Sequence, residues 1–215
     1  MKTLPIVAAT LSLAVGFGFA LAQDGAEQSK PAETKTEKSD KKMVPADWTY
    51  AGLGDPNLTE KIKTQLEPML GKPMPKLELD EGFNGGKMTN DDLAGKIVIV
   101  DVWATWCPPC KAAIPHNNEV FAKYKDQGVV VLGVTTSSKQ EDLDAMVNDL
   151  HIEYPVAKDP GEKTKANFNA SFFPTYYAID RDGIVRGVAI VPDKIDEVVE
   201  MLLKEQPAEQ TAMAE

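Results

Sequence analysis

The sequence predicts an α/β fold in which helices cover both faces of a central mixed β-sheet. Two nearly continuous apolar runs, residues 97–103 (IVIVDVW) and 129–135 (VVVLGVT), have the composition of strands buried on both faces. A helical segment lies between them, and a strand–helix–strand unit pairs its strands in parallel. Residues 175–191 then form an apolar hairpin around the turn Arg181-Asp182-Gly183, which adds antiparallel strands to the sheet.

A helix and a β-hairpin are expected before the first buried strand, as an N-terminal extension. Asp55 and Pro56 are typical of a helix N-terminus. Apolar residues then recur every four positions, as on one face of a helix. These residues are Leu58, Ile62, Leu66 and Leu70. Residues 76–79 (KLEL) and 83–89 (FNGGKMT) predict the hairpin, with two adjacent glycines for its turn.

Three further helices and a short strand complete the predicted domain. Ser138 and Glu141 form a capping box for one helix. Residues 154–157 predict a short strand, and residues 162–169 a short helix. Asp193 is placed to cap the last helix, which carries an apolar stripe along one side. The stripe consists of Ile195, Val198, Val199 and Leu202.

The first 22 residues have the pattern of a secretory signal peptide. Lys2 supplies a positive charge, residues 4–22 carry no charge, and Ala20-Leu21-Ala22 fits the small-x-small cleavage rule. Cleavage would begin the mature chain at Gln23, in the periplasm or another extracytoplasmic space. An uncleaved segment would instead tether the protein to the membrane, because about 17–25 apolar residues can span a bilayer.

Composition sets the expected limits of the folded domain. Residues 23–47 are charged and poor in large apolar groups, which predicts a disordered tether. The domain is expected to span residues 48–206, and residues 207–215 to form a flexible tail. The net charge of −10 argues against a nucleic-acid partner, because phosphates attract basic surfaces.

The two cysteines of the chain, Cys107 and Cys110, lie where the first buried strand gives way to a helix. The unpaired N–H groups and the dipole of a helix N-terminus lower the pKa of a thiol placed there. Cys107 is therefore expected to be the attacking thiol, and Cys110, one turn further, the resolving thiol. Pro108 and Pro109 restrict the loop and are tolerated in a first helical turn.

A structural disulfide and a metal site are the alternative interpretations of this pair. A bridge that closes so short a loop restrains little of the unfolded chain, which disfavours a structural role. Zinc takes about four ligands, and the chain offers only His116 and His151 besides the cysteines. We therefore predict no metal. A copper chaperone that holds Cu(I) with Cys107, Cys110 and His116 stays a competing hypothesis.

Asp101 interrupts an otherwise apolar strand six residues before Cys107. A buried carboxyl without a cationic partner has a raised pKa, which suits a group that exchanges protons with Cys110 during catalysis. On an edge strand Asp101 would instead face solvent, but the surrounding apolar run argues against that position. No lysine occurs in residues 129–135 to pair with it.

The motif WCPPC after a buried strand resembles the active site of the thioredoxin superfamily. The longer stretch VDVWATWCPPC, residues 100–110, resembles exported thiol-disulfide oxidoreductases of the TlpA/ResA type. Residues 71–79 (GKPMPKLEL) are similar to the first segment of that family's domain, and residues 172–185 (FFPTYYAIDRDGIV) to its proline loop and hairpin. The resemblance covers roughly residues 68–204 and implies a thioredoxin-like fold.

The resemblance also implies how a substrate is held. Pro174 matches the family's cis-proline, which packs against the dithiol, although trans is the commoner state of an X-Pro bond. Trp106 and Phe173 are expected to form an apolar collar around Cys107, with core packing as the alternative for Trp106. The residues assigned to substrate binding are Trp106, Pro108, Pro109, Phe173, Pro174 and Thr175.

The family offers a second location for an acid, three residues after the second cysteine. Ala113 occupies that position here, so Asp101 is expected to act alone.

These observations predict an exported thiol-disulfide oxidoreductase whose redox centre is a Cys107–Cys110 disulfide, with no other cofactor. By resemblance, it would reduce disulfides of specific partner proteins, as in cytochrome-c maturation or copper-site assembly, and a membrane electron donor would restore the dithiol. A disulfide-forming oxidase or isomerase would use the same residues, and only the reduction potential separates these functions. A peroxidase is disfavoured, because its resolving cysteine usually lies elsewhere.

Overall fold

The computed structural model describes residues 41–136 and 143–205 of the chain. The expected signal peptide, most of the tether, the tail and the capping box at residues 138–141 lie outside these ranges. Within them, no helix combines the length and the apolar character needed to cross a membrane.

The described residues form the predicted mixed sheet, which has six strands in the order β1-β4-β3-β2-β5-β6. The strands are β1 (Gly82–Phe83), β2 (Ile97–Trp103), β3 (Val129–Thr135), β4 (Val156–Lys158), β5 (Thr175–Ile179) and β6 (Val185–Ile190). The pairs β2–β3 and β3–β4 are parallel, and β2–β5, β5–β6 and β1–β4 are antiparallel. The long apolar strands β2 and β3 are therefore central, as their composition predicts.

Helices cover both faces of this sheet. They are α1 (Pro56–Lys61), α2 (Pro108–Tyr124), α3 (Leu143–Asp149), α4 (Lys163–Asn167) and α5 (Ile195–Leu203). Odd-numbered apolar residues of β2, such as Trp103, pack with α2, α3 and α5. Even-numbered residues, such as Val100, pack with the helical segment 56–69 and with Phe168. Both faces of β2 are consequently buried.

The helix predicted from Asp55 is present, but its geometry changes along its length. Asp55 caps α1 by accepting hydrogen bonds from the N–H groups of Asn57, at 2.9 Å, and Leu58, at 3.1 Å. The helix then continues as a π turn over Ile62–Leu66 and a 3-10 turn over Glu67–Met69. Ile62 and Leu66 are the fully buried members of the predicted stripe.

The predicted β-hairpin is not formed. Residues 76–79 lie outside the sheet, and β1 pairs with β4, with Gly82 opposite Ala157. Side chains satisfy the backbone donors that a hairpin partner would have used. The Leu77 N–H donates to Asn90 Oδ1 at 2.9 Å, and the Glu78 N–H donates to Thr164 Oγ1 at 2.8 Å.

Two other boundaries differ from expectation. Asp193 lies inside a 3-10 turn, Pro192–Lys194, and makes no capping hydrogen bond to α5, although the predicted apolar stripe of α5 is buried. The packed domain begins before Trp48, within residues assigned to the tether. Val44 is buried and donates its N–H to the Arg186 carbonyl at 2.8 Å, because β6 offers an apolar surface and a backbone acceptor there.

Candidate active site

The two cysteines form a disulfide at the junction of β2 and α2. Cys107 is the N-cap of α2, and its Sγ accepts a hydrogen bond from the Cys110 N–H at 3.3 Å. Pro108 and Pro109 occupy the first two helical positions, where their missing N–H groups leave no helical hydrogen bond unmade. Both cysteines are buried, and Cys107 is the more accessible, at 4% exposure against 1% for Cys110.

The side chains of Trp106 and Phe173 meet beside the disulfide. Their ring centroids are 5.8 Å apart in an edge-to-face arrangement, which joins the dithiol loop to the loop before β5. Trp106 is 47% exposed, so it is not a core residue, whereas Trp103 is buried in the core. Trp106 and Phe173 are the two residues of the predicted collar, and they are in contact. The Lys165 ammonium lies over the Phe173 ring, 5.6 Å from its centroid.

The Phe173–Pro174 peptide bond is cis, as the resemblance implies. Thr175, the next residue, is buried at the start of β5, and its hydroxyl donates to the Phe172 carbonyl. The loop therefore leaves Phe173 half-buried, while its C-terminal side is anchored in the sheet.

Asp101 is buried on a central strand, which excludes the edge-strand alternative. It is paired with Gly133 of β3 on one side and Tyr176 of β5 on the other, and is 1% exposed. Its Oδ2 accepts a hydrogen bond from Asn117 Nδ2 at 3.1 Å. Among the described residues, Oδ1 has no hydrogen-bond partner. Burial raises the pKa of Asp101 to about 7, against the opposing effect of the Tyr176 hydroxyl and the Asn117 amide.

Three polar residues next to Asp101 were not predicted from the sequence: Asn117 on α2, Tyr154 before β4 and Tyr176 on β5. Asn117 Nδ2 lies 3.0 Å from the Tyr176 hydroxyl and 3.4 Å from the Tyr154 hydroxyl. Burial, followed by the charge of Asp101, raises the pKa of both tyrosines, so both keep their protons at neutral pH. The available signal was Asn117 itself, a polar residue in the buried stripe of α2.

His116, the third ligand of the copper hypothesis, is directed toward α5. Its Nε2 lies 3.5 Å from Asp196 Oδ2, and its Nδ1 lies 3.8 Å from Glu119 Oε2. Over residues 41–136 and 143–205, no three His, Cys, Asp or Glu side chains converge in a way that could hold a metal ion. The geometry of these side chains gives the copper hypothesis no support.

Comparison with known proteins agrees with this site. Residues 70–188 match the family described as the AhpC/TSA family, which is more than half of the chain. The chain belongs to the AhpC/TSA family. The thiol-disulfide oxidoreductase ResA of Bacillus thuringiensis (strain Al Hakam) is 32% identical over 141 residues, covering 66% of this chain and 73% of the relative.

Two solved structures from other bacteria share the thioredoxin-like fold. One is a thiol:disulfide interchange protein from Chlorobium tepidum TLS, 28% identical with a TM-score of 0.54, covering 61% of this chain and 95% of that chain. The other is a thiol-disulfide isomerase from Corynebacterium glutamicum, 25% identical with a TM-score of 0.55, covering 62% and 97%. With the Cys107–Cys110 disulfide in place, this chain is a thioredoxin-like disulfide oxidoreductase.

Proposed function

We propose that the protein is an extracytoplasmic reductant of disulfides in specific partner proteins. The observation that carries this proposal is a disulfide, Cys107–Cys110, at the N-terminus of α2, together with a buried acid, Asp101, that contacts the same helix through Asn117. The signal-like N-terminus supports the location. The similarity to ResA supports thiol-disulfide exchange, and the resemblance to TlpA/ResA-type proteins implies the direction of electron flow.

The reaction begins with the dithiol form. The Cys107 thiolate attacks one sulfur of the partner disulfide, the partner S–S bond breaks, and one partner thiolate leaves. A mixed disulfide between Cys107 and the partner remains. Cys110 then gives its proton to the Asp101 carboxylate and attacks the Cys107 sulfur. The second partner thiolate leaves, so the partner has gained two electrons and the Cys107–Cys110 disulfide has formed.

Each group suits its step. The Cys110 N–H donates to Cys107 Sγ, and such a contact at a helix N-terminus stabilises a thiolate there. Asp101, with its pKa raised to about 7, can both accept and return a proton near neutral pH. The exposed Trp106 and the neighbouring Phe173 offer an apolar surface beside Cys107, where a partner segment would bind along Pro174 and Thr175.

A second reaction must restore the dithiol. We propose a membrane electron donor that presents a dithiol outside the cytoplasm and takes the Cys107–Cys110 disulfide as its substrate. The partners would be proteins whose cysteines must be reduced before they bind haem or copper, as in cytochrome-c maturation or copper-site assembly.

The reduction potential of the Cys107–Cys110 pair tests the direction. The full chain is equilibrated in graded thiol buffers, and its free thiols are trapped by alkylation and counted by mass. A potential near that of thioredoxin, about −270 mV, is expected for a reductant. A value of about −120 to −180 mV would instead assign the protein as an oxidant or isomerase, like the relative named an isomerase. Cys110→Ser, which cannot close the disulfide, is the control and should show no such couple.

A further inference from the structure

Asn117 links the helix that carries the dithiol to the buried acid on β2. We propose that Asn117 is a positioning residue, which binds Oδ2 of Asp101 and thereby leaves Oδ1 as the oxygen that takes the proton from Cys110. This inference rests on the proposed thiol-disulfide exchange. It adds a residue that the cysteine motif and the strand pattern do not indicate.

The placement of Asn117 follows from the helix. It comes seven residues, or about two turns, after Cys110 and lies on the same buried side of α2. Asn117 is 1% exposed, and its Nδ2 donates to Asp101 Oδ2 at 3.1 Å across the interface between α2 and β2.

The chemistry of an amide divides the two oxygens of Asp101 into different roles. An N–H group can only donate, so the oxygen facing Asn117 Nδ2 acts as the acceptor. The carbonyl oxygen of a protonated carboxyl is the better acceptor, which favours the proton on the other oxygen. The Tyr176 hydroxyl lies 3.0 Å from Nδ2 and 3.2 Å from Oδ1 of Asn117, so it does not distinguish the two ends of the amide. The Asp101 carboxylate does, because its oxygens accept and therefore require the amide nitrogen on their side. Asp101 Oδ1, without a hydrogen-bond partner among the described residues, remains for the proton.

The surroundings of Asp101 explain why an amide suits this position. Of the described groups, those that hydrogen-bond to it or shift its pKa are neutral, namely Asn117 and Tyr176. The titratable groups that experience its charge are Tyr176 on β5, Tyr154 before β4 and Tyr50 in the N-terminal segment. A cation would hold the carboxyl ionised, whereas an amide stabilises its charge while leaving it able to titrate.

The test separates the two steps of exchange. The reduced full chain is mixed in a stopped-flow instrument with dithiobis-nitrobenzoate, a disulfide that releases one coloured thiolate at each step. The first phase reports attack by Cys107. The second reports resolution by Cys110, whose rate is recorded against pH. In the natural protein the second phase should rise through a midpoint near the pKa of Asp101, about 7.

Asn117→Leu keeps the branched shape of the side chain but removes the donor to Asp101. A hydrogen bond to a charged group favours the charged form, so its loss should raise the midpoint by about one pH unit. The second phase at pH 7 should then slow about fivefold, because the ionised fraction falls from about one half to about one eleventh. The first phase should not change. Above about pH 9.5 Asp101 is ionised in both proteins, so the natural and variant rates should converge.

Tyr176→Phe provides a second variant if Asn117→Leu does not fold. It removes a hydroxyl that contacts Asn117 and that itself lowers the pKa of Asp101, so it should shift the midpoint in the same direction. Asn118→Leu is the matched control. Asn118 is the next residue of α2, but it bonds to backbone, with Nδ2 donating to the His151 carbonyl at 2.7 Å and Oδ1 accepting from the Glu153 N–H at 2.9 Å. Its loss should lower the thermal stability and leave the midpoint of the second phase unchanged.

The outcomes are distinct for the two proposals. A missing second phase in the natural protein would overturn the exchange reaction itself. Two phases with the same midpoint in the natural protein, Asn117→Leu and Tyr176→Phe would overturn only the role of Asn117. An upward shift in Asn118→Leu equal to that in Asn117→Leu would also overturn it, because a general loosening of α2 would then explain both.

Discussion

Asp101 and Asp180 are both buried aspartates in the same sheet, but their partners differ. Asp180 follows β5 and accepts a hydrogen bond from Arg186 Nε at 2.6 Å. Its Oδ1 also accepts from the N–H groups of Asp182 and Ile184, each at 2.9 Å. Within residues 41–136 and 143–205, no such cation contacts Asp101, and the donor to its Oδ2 is the amide of Asn117.

The difference shows what makes a buried carboxyl structural or reactive. Asp180, bonded to a guanidinium and to two backbone donors, ties the β5–β6 hairpin together as an ion. Asp101, surrounded by neutral groups, has its pKa raised to about 7 by burial, so it gains and loses a proton near neutral pH. Burial alone therefore does not identify a catalytic acid; the charge of its partners does.

Removing the cation beside Asp180 should have the largest effect on stability. Arg186→Leu leaves a buried carboxylate unpaired, which typically lowers the free energy of unfolding by about 3–5 kcal/mol. Urea denaturation at pH 7 measures the change. Arg181→Leu, in the turn of the same hairpin, is the control. It should change the free energy little, because Arg181 makes an exposed hydrogen bond to the Gln127 carbonyl at 3.3 Å. If Arg186→Leu lowers the free energy of unfolding by less than about 1 kcal/mol, the proposed difference between Asp180 and Asp101 is contradicted.

Replacing the acid at position 101 should raise the free energy of unfolding rather than lower it. The size of this change should depend on pH. The raised pKa means that the folded chain keeps this proton up to about pH 7, while the unfolded chain releases it near the ordinary value of 3.8. The stability that Asp101 contributes is therefore complete below about pH 4, falls as pH rises to about 7, and is constant above that.

Asp101→Asn does not titrate, so it should become more stable than the natural protein between about pH 4 and pH 7, by up to about 4 kcal/mol. Urea denaturation across this range measures the difference. Asp126→Asn, in an exposed turn, should follow the natural protein at each pH. Parallel curves for Asp101→Asn and the natural protein would mean that Asp101 is ionised throughout, as in an ion pair.

The smallest effect on the free energy of unfolding is expected for Lys41, which lies further from Asp180 than Arg186 does. Lys41 Nζ lies 2.5 Å from Asp182 Oδ2 but 3.9 Å from Asp180 Oδ2. Because such partly exposed pairs contribute about 0–1 kcal/mol, Lys41→Met should change the free energy of unfolding by no more than that. Lys42→Met, at the exposed neighbouring position, is its reference. A loss as large as that of Arg186→Leu would place Lys41, rather than Arg186, as the main counter-ion.

Much of the fold follows from short stretches of sequence. The apolar composition of β2 and β3 predicts their central position, and the stripe of α5 predicts its buried side. Asp55 caps α1 as its position predicts, because a cap depends on residues within one turn. The hairpin expected at residues 76–89 is wrong because residues further along the chain decide the structure of this segment. Its backbone donors are satisfied by Asn90 and by the distant Thr164.

The features of the candidate site also fall into two groups, those set by local sequence and those set by packing between distant segments. The sequence by itself determined the positions of Cys107 and Cys110 at a strand–helix junction and the presence of an acid in a strand buried on both faces, because periodicity and composition are local properties. Only the tertiary structure decided that Asn117 and Tyr176 surround Asp101, and that Arg186 neutralises Asp180. Those contacts depend on how α2 packs on β2 and on how strands pair in register. A side chain's neighbours across such an interface are set by packing, so no pattern along the chain distinguishes a neutral partner from a charged one.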